Sequence, residues 1–192
     1  MLVAVTGNFA VGKSAFLRSL KRLGFEVLDI DRFVAKVYET KEMIEWVKGE
    51  IGSTIALNDV VDRKLLAVII FNDARKLKKL REKLYPIVTE RIKEIGHSNE
   101  IVFVEVPLLF EADMAGLFDK VVLLTASQET AISRAQKKGF TEEEYLSRIR
   151  FQIPQEEKIP KADFVVDSEG PVNKLAYQAG VIAKKLREEA EK

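Results

Sequence analysis

The sequence predicts an α/β fold: a three-layer, doubly wound parallel sheet of five strands, interrupted by a helical insert and carrying a lid. Three observations support this. Short, continuous apolar runs recur at residues 2–5, 26–28, 101–106, 120–124 and 164–166, and continuous rather than alternating apolarity marks strands buried on both faces. Segments of helical period lie between most of them, at 14–23, 128–138 and 172–189, which is the strand-then-helix rhythm of a parallel sheet. The rhythm fails once, over residues 31–100, where several helical stretches and little strand character suggest an inserted subdomain. The core is therefore expected over residues 1–30 and 97–192, the insert over 31–96 and the lid over about 139–160.

The first strand runs straight into Gly7-Asn8-Phe9-Ala10-Val11-Gly12-Lys13-Ser14, followed by Ala15 in the first helix. This is G-x-x-x-x-G-K-[ST] in the context it requires, after a strand and opening a helix. Glycines let backbone N–H groups turn inward onto phosphate oxygens, and the helix N-terminus adds partial positive charge. Lys13 reaches the outer phosphates and the Ser14 hydroxyl ligates magnesium. Residues 7–15 are thus the expected nucleotide-binding segment, with ATP and Mg2+ as cofactors on a P-loop NTPase fold.

The second strand ends in Val27-Leu28-Asp29-Ile30-Asp31. It delivers two carboxylates to the C-terminal edge of the sheet, where ligands of parallel sheets bind. In that position Asp31 accepts a proton from a substrate hydroxyl, a role worth roughly 10² to 10⁴ in rate, or holds a magnesium-bound water. The competing reading is that either carboxylate caps the helix starting near Arg32. In the insert, Leu65, Leu66, Ile69 and Ile70, then Leu77, Leu80, Leu84 and Ile87, fall at helical spacing across Lys- and Arg-rich faces that read as solvated.

Glu105 is a lone carboxylate in the third apolar run and needs a partner or a metal to offset its desolvation. It is read either as a magnesium ligand at the acidic end of a Walker B-type strand or as a salt-bridged edge residue. Pro107-Leu108-Leu109-Phe110-Glu111 then leaves the strand, with Glu111 turned to the cleft or to solvent. His97, the single histidine, lies in Gly96-His97-Ser98-Asn99 and reads as a surface turn. Arg134, Lys138, Arg148 and Arg150 flank the polar lid, with Arg134 and Lys138 on one helix face. Cations brought over a bound triphosphate would neutralise charge that develops during phosphoryl transfer, the alternative being a solvated face.

Composition removes other classes. Lys plus Arg at 31 against Asp plus Glu at 30 leaves no broad field for nucleic acid or an anionic membrane. The absence of cysteine excludes disulfides, thiolate zinc sites and a cysteine nucleophile, and points to the cytoplasm. The N-terminus lacks the basic flank and apolar length of a signal peptide. The later apolar run at 101–110, broken by Glu105, is half of the ~20 residues a spanning helix needs. The partner is therefore expected to be a small molecule, for a monomer or a homo-oligomer alike.

Taken together, the residues resemble those of dephospho-coenzyme A kinases, nearly end to end. The likeness rests on Val5-Thr6-Gly7 leading into the phosphate loop, Val27-Leu28-Asp29-Ile30-Asp31, Asp62-Arg63-Lys64-Leu65 before Ile70-Phe71, and Leu84-Tyr85-Pro86. Further along it rests on Val106-Pro107-Leu108-Leu109-Phe110-Glu111, Arg148-Ile149 with Gln152, and Ala162-Asp163-Phe164-Val165-Val166-Asp167. The resemblance implies transfer of the ATP γ-phosphate to the 3′-hydroxyl of dephospho-coenzyme A, the last step of coenzyme A synthesis. It also implies Asp31 as general base, the inserted helices as acceptor domain, and residues 139–160 as part of the lid. Tyr85 stands where the family usually has His, Lys138 where a lid Arg is common, Asn8 where a second Gly is usual, and Ala15 in place of a common Thr. Lys138 keeps the charge but loses the bidentate fork. Another small-metabolite or nucleoside-monophosphate-type kinase would use the same loop and lid. A GTP-binding switch is disfavoured, because Asn173-Lys174 is followed by Leu175-Ala176 rather than by the x-Asp of a guanine-reading stretch.

Overall fold

The structure is a computed structural model that describes residues 1–95 and 101–191. His97 and the expected 96/97 boundary of the insert lie outside the described residues. The chain runs β1 (Leu2–Thr6), α1 (Lys13–Arg22), β2 (Glu26–Asp29), α2 (Ile30–Val37), α3 (Lys41–Glu50), β3 (Ala56–Leu57), β4 (Val60–Val61), α4 (Arg63–Asn72) and α5 (Ala74–Ile95). It continues through β5 (Val102–Glu105), β6 (Lys120–Thr125), α6 (Gln128–Gln136), α7 (Glu142–Ile149), α8 (Gln155–Lys158), β7 (Phe164–Asp167) and α9 (Val172–Ala190).

Five strands form one sheet in the order β2-β5-β1-β6-β7, and every pairing in it is parallel. This is the doubly wound sheet expected from the apolar runs. Central β1 is buried at all five positions, so its continuous apolarity follows from having a layer on each face. One layer comes from α1 and α9. Phe16, Leu17 and Leu20 of α1, and Leu175, Ala179, Ile182, Ala183 and Leu186 of α9, pack with Val3, Val5, Phe103, Val122, Leu124 and Val166 of the sheet. The three- and four-residue spacing of those positions puts each set on one helical stripe. Each fully buried Leu, Val or Phe contributes about 1.5 to 3 kcal/mol.

The chain divides into two compact units, Met1–Asp29 with Lys93–Lys192, and Ile30–Ile92. The second unit is mainly helical and closes on Val37, Tyr38, Met43, Ile44, Val47, Ile51, Ile55, Leu66, Ile70 and Leu80. Thr40 starts α3 by accepting the Met43 N–H at 3.3 Å. Of the apolar stripe expected on α4, Leu66 and Ile70 are buried while Leu65 is exposed. The unit also holds a small antiparallel hairpin, β3 with β4, where little strand character was expected. Asn58 and Asp59 both take left-handed backbone (φ 52 and 58), which gives the twist of a two-residue hairpin turn. Strands of two residues are too short to show alternation, so only the Asn-Asp pair signals them.

One helix boundary beside the lid also differs from expectation. Helix α6 stops at Gln136 rather than 138, and Lys138 sits in the turn beyond it with its N–H on the Ala135 carbonyl at 2.9 Å. Helix α7 starts on a capping box in which the Thr141 hydroxyl accepts the Glu144 N–H and the Glu144 carboxylate accepts the Thr141 N–H.

Candidate active site

Residues 7–12 link β1 to α1 at the C-terminal edge of the sheet, beside the ends of β5 and β6. The loop turns on positive-φ backbone at Gly7 (142), Ala10 (63) and Gly12 (106). Gly7 is obligatory for space as well as for conformation. A Cβ there would lie 2.4 Å from the Leu124 carbonyl oxygen of β6 and 2.9 Å from Val11 Cγ2. Ala10 takes the left-handed region with a side chain, at a cost of about 1 kcal/mol.

Side chains then fix the loop's peptide planes. Lys13 Nζ donates to the carbonyls of Gly7 (2.7 Å) and Asn8 (3.0 Å). At the other end the Val11 carbonyl accepts Arg134 Nη1 at 3.2 Å and lies 2.5 Å from the Ser168 hydroxyl. The Thr125 carbonyl also lies 2.8 Å from that hydroxyl, whose single proton serves one carbonyl at a time. Because C=O and N–H point oppositely across a trans peptide, anchoring the Val11 carbonyl turns the Gly12 N–H to the opposite side. Lys13 and Ser14 follow as the first residues of α1, with Ser14 exposed. A side-chain-free strand exit, an oriented loop amide, a helix N-terminus and a lysine over the loop are the donor set a polyphosphate requires.

Arg134, expected over phosphates, bonds to the loop itself. Besides Val11 it donates to Ser168 Oγ at 2.9 Å and to the Ser168 carbonyl at 2.6 Å, tying α6, the loop and the segment after β7 together. Lys138 is exposed and is not drawn to this group. Arg148 lies 5.0 Å from the ring centroid of Phe9 and 4.5 Å from that of Phe140, and Phe9 meets Phe140 edge-on at 5.2 Å. Two residues of the phosphate loop, Phe9 and Ala10, are thus built into one apolar cluster with Ala131 and Ala135 of α6 and Tyr145 of α7.

A cleft of about 380 Å³ lies beside Arg134, lined also by Glu129, Thr130, Ser133, Lys137, Glu169 and Gly170. Glu169 accepts the Ser127 N–H at 2.6 Å and the Thr130 hydroxyl at 2.7 Å, and these bonds, the backbone one foremost, hold its carboxyl below the usual range. Asp167 is lowered chiefly by the Glu169 N–H and then by Lys174.

The acidic candidates are placed as follows. Glu105 ends β5, in register with Val5 of β1 on one side and Asp29 of β2 on the other, so two carboxylates neighbour each other at the strand ends. Asp31 follows two residues after Asp29, in the first turn of α2, and is exposed. Among the described residues no three acidic or histidine side chains converge to hold a metal. Magnesium commonly takes only one or two protein ligands, the others being phosphate and water, and Ser14 with a strand-end carboxylate is a set of that kind. Glu111 faces neither the cleft nor solvent. It is buried against Lys158, Nζ to Oε1 at 2.7 Å. Lys158 carried no signal in the sequence, although a carboxylate just past a buried strand demands a cation somewhere in the chain.

The sequence pattern of dephospho-CoA kinases matches residues 1–174. A protein of Carboxydothermus hydrogenoformans named dephospho-CoA kinase is 33% identical over 194 residues, covering 97% of this chain and 94% of its own. A crystal structure from Thermus thermophilus aligns with a TM-score of 0.84 at 32% identity, covering 96% of this chain and 97% of that one. A dephospho-CoA kinase structure from Campylobacter jejuni aligns at 0.68 and 26% identity, with 96% of each chain covered. With the phosphate loop, the parallel sheet and the strand-end acids in place, the chain belongs to the dephospho-CoA kinase family.

Proposed function

We propose that this chain is a dephospho-CoA kinase, transferring the γ-phosphoryl group of ATP to the 3′-hydroxyl of dephospho-coenzyme A to give coenzyme A. The observation that carries the reading is the phosphate loop: Gly7 stands where a Cβ would strike the Leu124 carbonyl, and Lys13 arches over the loop from the start of α1.

Phosphoryl transfer needs positioning and charge neutralisation more than covalent chemistry. Loop amides and Lys13 hold the triphosphate, and the cleft beside Arg134 takes the nucleoside. Ser14 with Glu105 or Asp31 would hold magnesium, which would supply positive charge to the phosphates. Asp31 orients the acceptor hydroxyl and takes its proton. Lys138, with Arg134, adds positive charge at the phosphates, and the helical unit, residues 30–92, binds the acceptor. No described helix is long and apolar enough to cross a membrane, and we place the enzyme in the cytoplasm, acting on a small-molecule acceptor.

A coupled assay tests this. Purified protein should consume ATP with dephospho-coenzyme A and release coenzyme A. Consumption with a nucleoside monophosphate or a small sugar acid, and none with dephospho-coenzyme A, would reassign the acceptor.

A further inference from the structure

Residues 152–158, which follow α7, grip the phosphate loop through two adjacent loop residues. Gln152 Oε1 accepts the Phe9 backbone N–H at 2.8 Å. Lys158 Nζ donates to Asn8 Oδ1 at 2.7 Å and pairs with Glu111 Oε1, also at 2.7 Å, with the two side chains 0% and 5% exposed. That Glu111 oxygen further accepts the Ile153 N–H at 2.9 Å, while Oε2 is buried with no hydrogen-bond partner among the described residues.

A buried ion pair is a poor source of stability, because desolvation offsets most of the attraction. Its use here is directional. An ammonium fixed by Glu111 holds its remaining protons in set directions, one of them on Asn8. Asn8 is also one of the two residues whose carbonyls receive Lys13 Nζ. The peptide joining Asn8 to Phe9 is therefore held at both poles, its carbonyl by Lys13 and its N–H by Gln152, while the Asn8 side chain is held by Lys158.

We propose that Lys158 is a positioning residue for nucleotide binding: clamped by Glu111, it fixes Asn8, and through Asn8 the carbonyl that aims Lys13. This rests on the reading of residues 7–14 as the triphosphate site. The segment after α7 then sets the geometry of the loop without touching the nucleotide, and a shift of residues 152–158 would reach Lys13 through one side chain and one peptide plane.

Titration calorimetry with ATP and thermal melting of wild type, Asn8→Ala, Lys158→Met, Glu111→Gln and the paired Lys158→Met/Glu111→Gln variant test the proposal. Asn8→Ala leaves the buried pair intact and removes one hydrogen bond, so it should lose far less melting temperature than either single charge variant yet bind ATP about tenfold more weakly. The paired variant carries no buried charge. It should regain most of the melting temperature lost in either single variant while keeping the ATP defect, and adding Asn8→Ala to it should weaken ATP no further. Wild-type ATP affinity in Asn8→Ala, or restored affinity in the paired variant, would reduce Lys158 to a packing role and overturn the inference. Failure of the wild-type protein to bind ATP would instead remove the triphosphate site itself, so the two failures are distinct.

Discussion

Each compact unit contains an ion pair of the same length in a different medium. In the unit carrying the phosphate loop, Lys158 and Glu111 meet at 2.7 Å with 0% and 5% of their side chains exposed. In the helical unit, Lys79 and Glu50 also meet at 2.7 Å, with 54% and 45% exposed. The distance says nothing of the energetic difference. Removing one partner of a buried pair strands a charge and costs about 3 to 5 kcal/mol, whereas an exposed pair contributes about 0 to 1 kcal/mol. The first unit thus places charge inside, where it fixes direction. The helical unit keeps charge on its surface around an interior of Met43, Val47, Ile55 and similar side chains. Point changes should be felt as altered nucleotide handling in the first unit, and as acceptor chemistry or simple stability in the second.

The largest effects should separate the units by function. Lys13→Ala removes the cation of the loop, and ATP binding by calorimetry should fall beyond detection. Asp31→Asn, at the start of the helical unit, should instead lower turnover by roughly 10² to 10⁴ while ATP affinity stays close to wild type. Retained turnover in Asp31→Asn would move the base elsewhere, and intact ATP binding in Lys13→Ala would contradict the loop assignment.

The next effect compares the pairs themselves. Lys158→Met leaves Glu111 charged and buried, and urea unfolding should show a loss of about 3 to 5 kcal/mol. A loss below 1 kcal/mol would mean that water reaches Glu111 and that the contrast in media is false.

These residues also show where sequence reasoning stops. The sheet could be read in advance because its strands are buried on both faces, so apolar runs such as residues 2–5 and 120–124 need no partner to be recognised. Residues 7–14 could be read because backbone geometry demands glycine at fixed spacing. Lys158 could not, because its meaning comes from Asn8, 150 positions away, and from Glu111, and no local pattern encodes a long-range pair. Arg134 was placed near the phosphate loop by its position in the chain. Its bonds to Val11 and Ser168 depend on how α6 and the end of β7 meet, which periodicity does not specify. In the helical unit, the apolar stripes gave the helices, while two-residue strands carried too few positions to reveal the hairpin at Asn58 and Asp59.

Tyr38 sharpens the comparison from the helical side, where it is a polar group inside an otherwise apolar core. Burial, partly offset by Arg63, pushes its phenol from 10.0 up to about 12. The unfolded chain loses this proton near pH 10 and the folded chain near 12, so between those values the unfolded state binds fewer protons and stability falls as pH rises; below pH 10 the contribution is intact. Over this window the loss is about 2 to 3 kcal/mol. Chemical denaturation across pH 9 to 12 should show wild type losing that much relative to Tyr38→Phe. Parallel curves would mean that solvent reaches the phenol.

The smallest expected effect is the one that most directly tests whether medium, rather than distance, separates the pairs. Lys79→Ala removes a contact as short as that of Lys158, and it leaves Glu50 nearly half exposed, where water replaces the lost ammonium. Side-chain entropy regained by Glu50 further offsets the lost attraction. Urea unfolding at low salt should therefore show a change below about 1 kcal/mol, shrinking further as salt screens the pair. ATP affinity should not move. A loss approaching that of Lys158→Met would make the surface of the helical unit as dependent on a single ion pair as the interior beneath the phosphate loop, and the division between the two units would no longer hold.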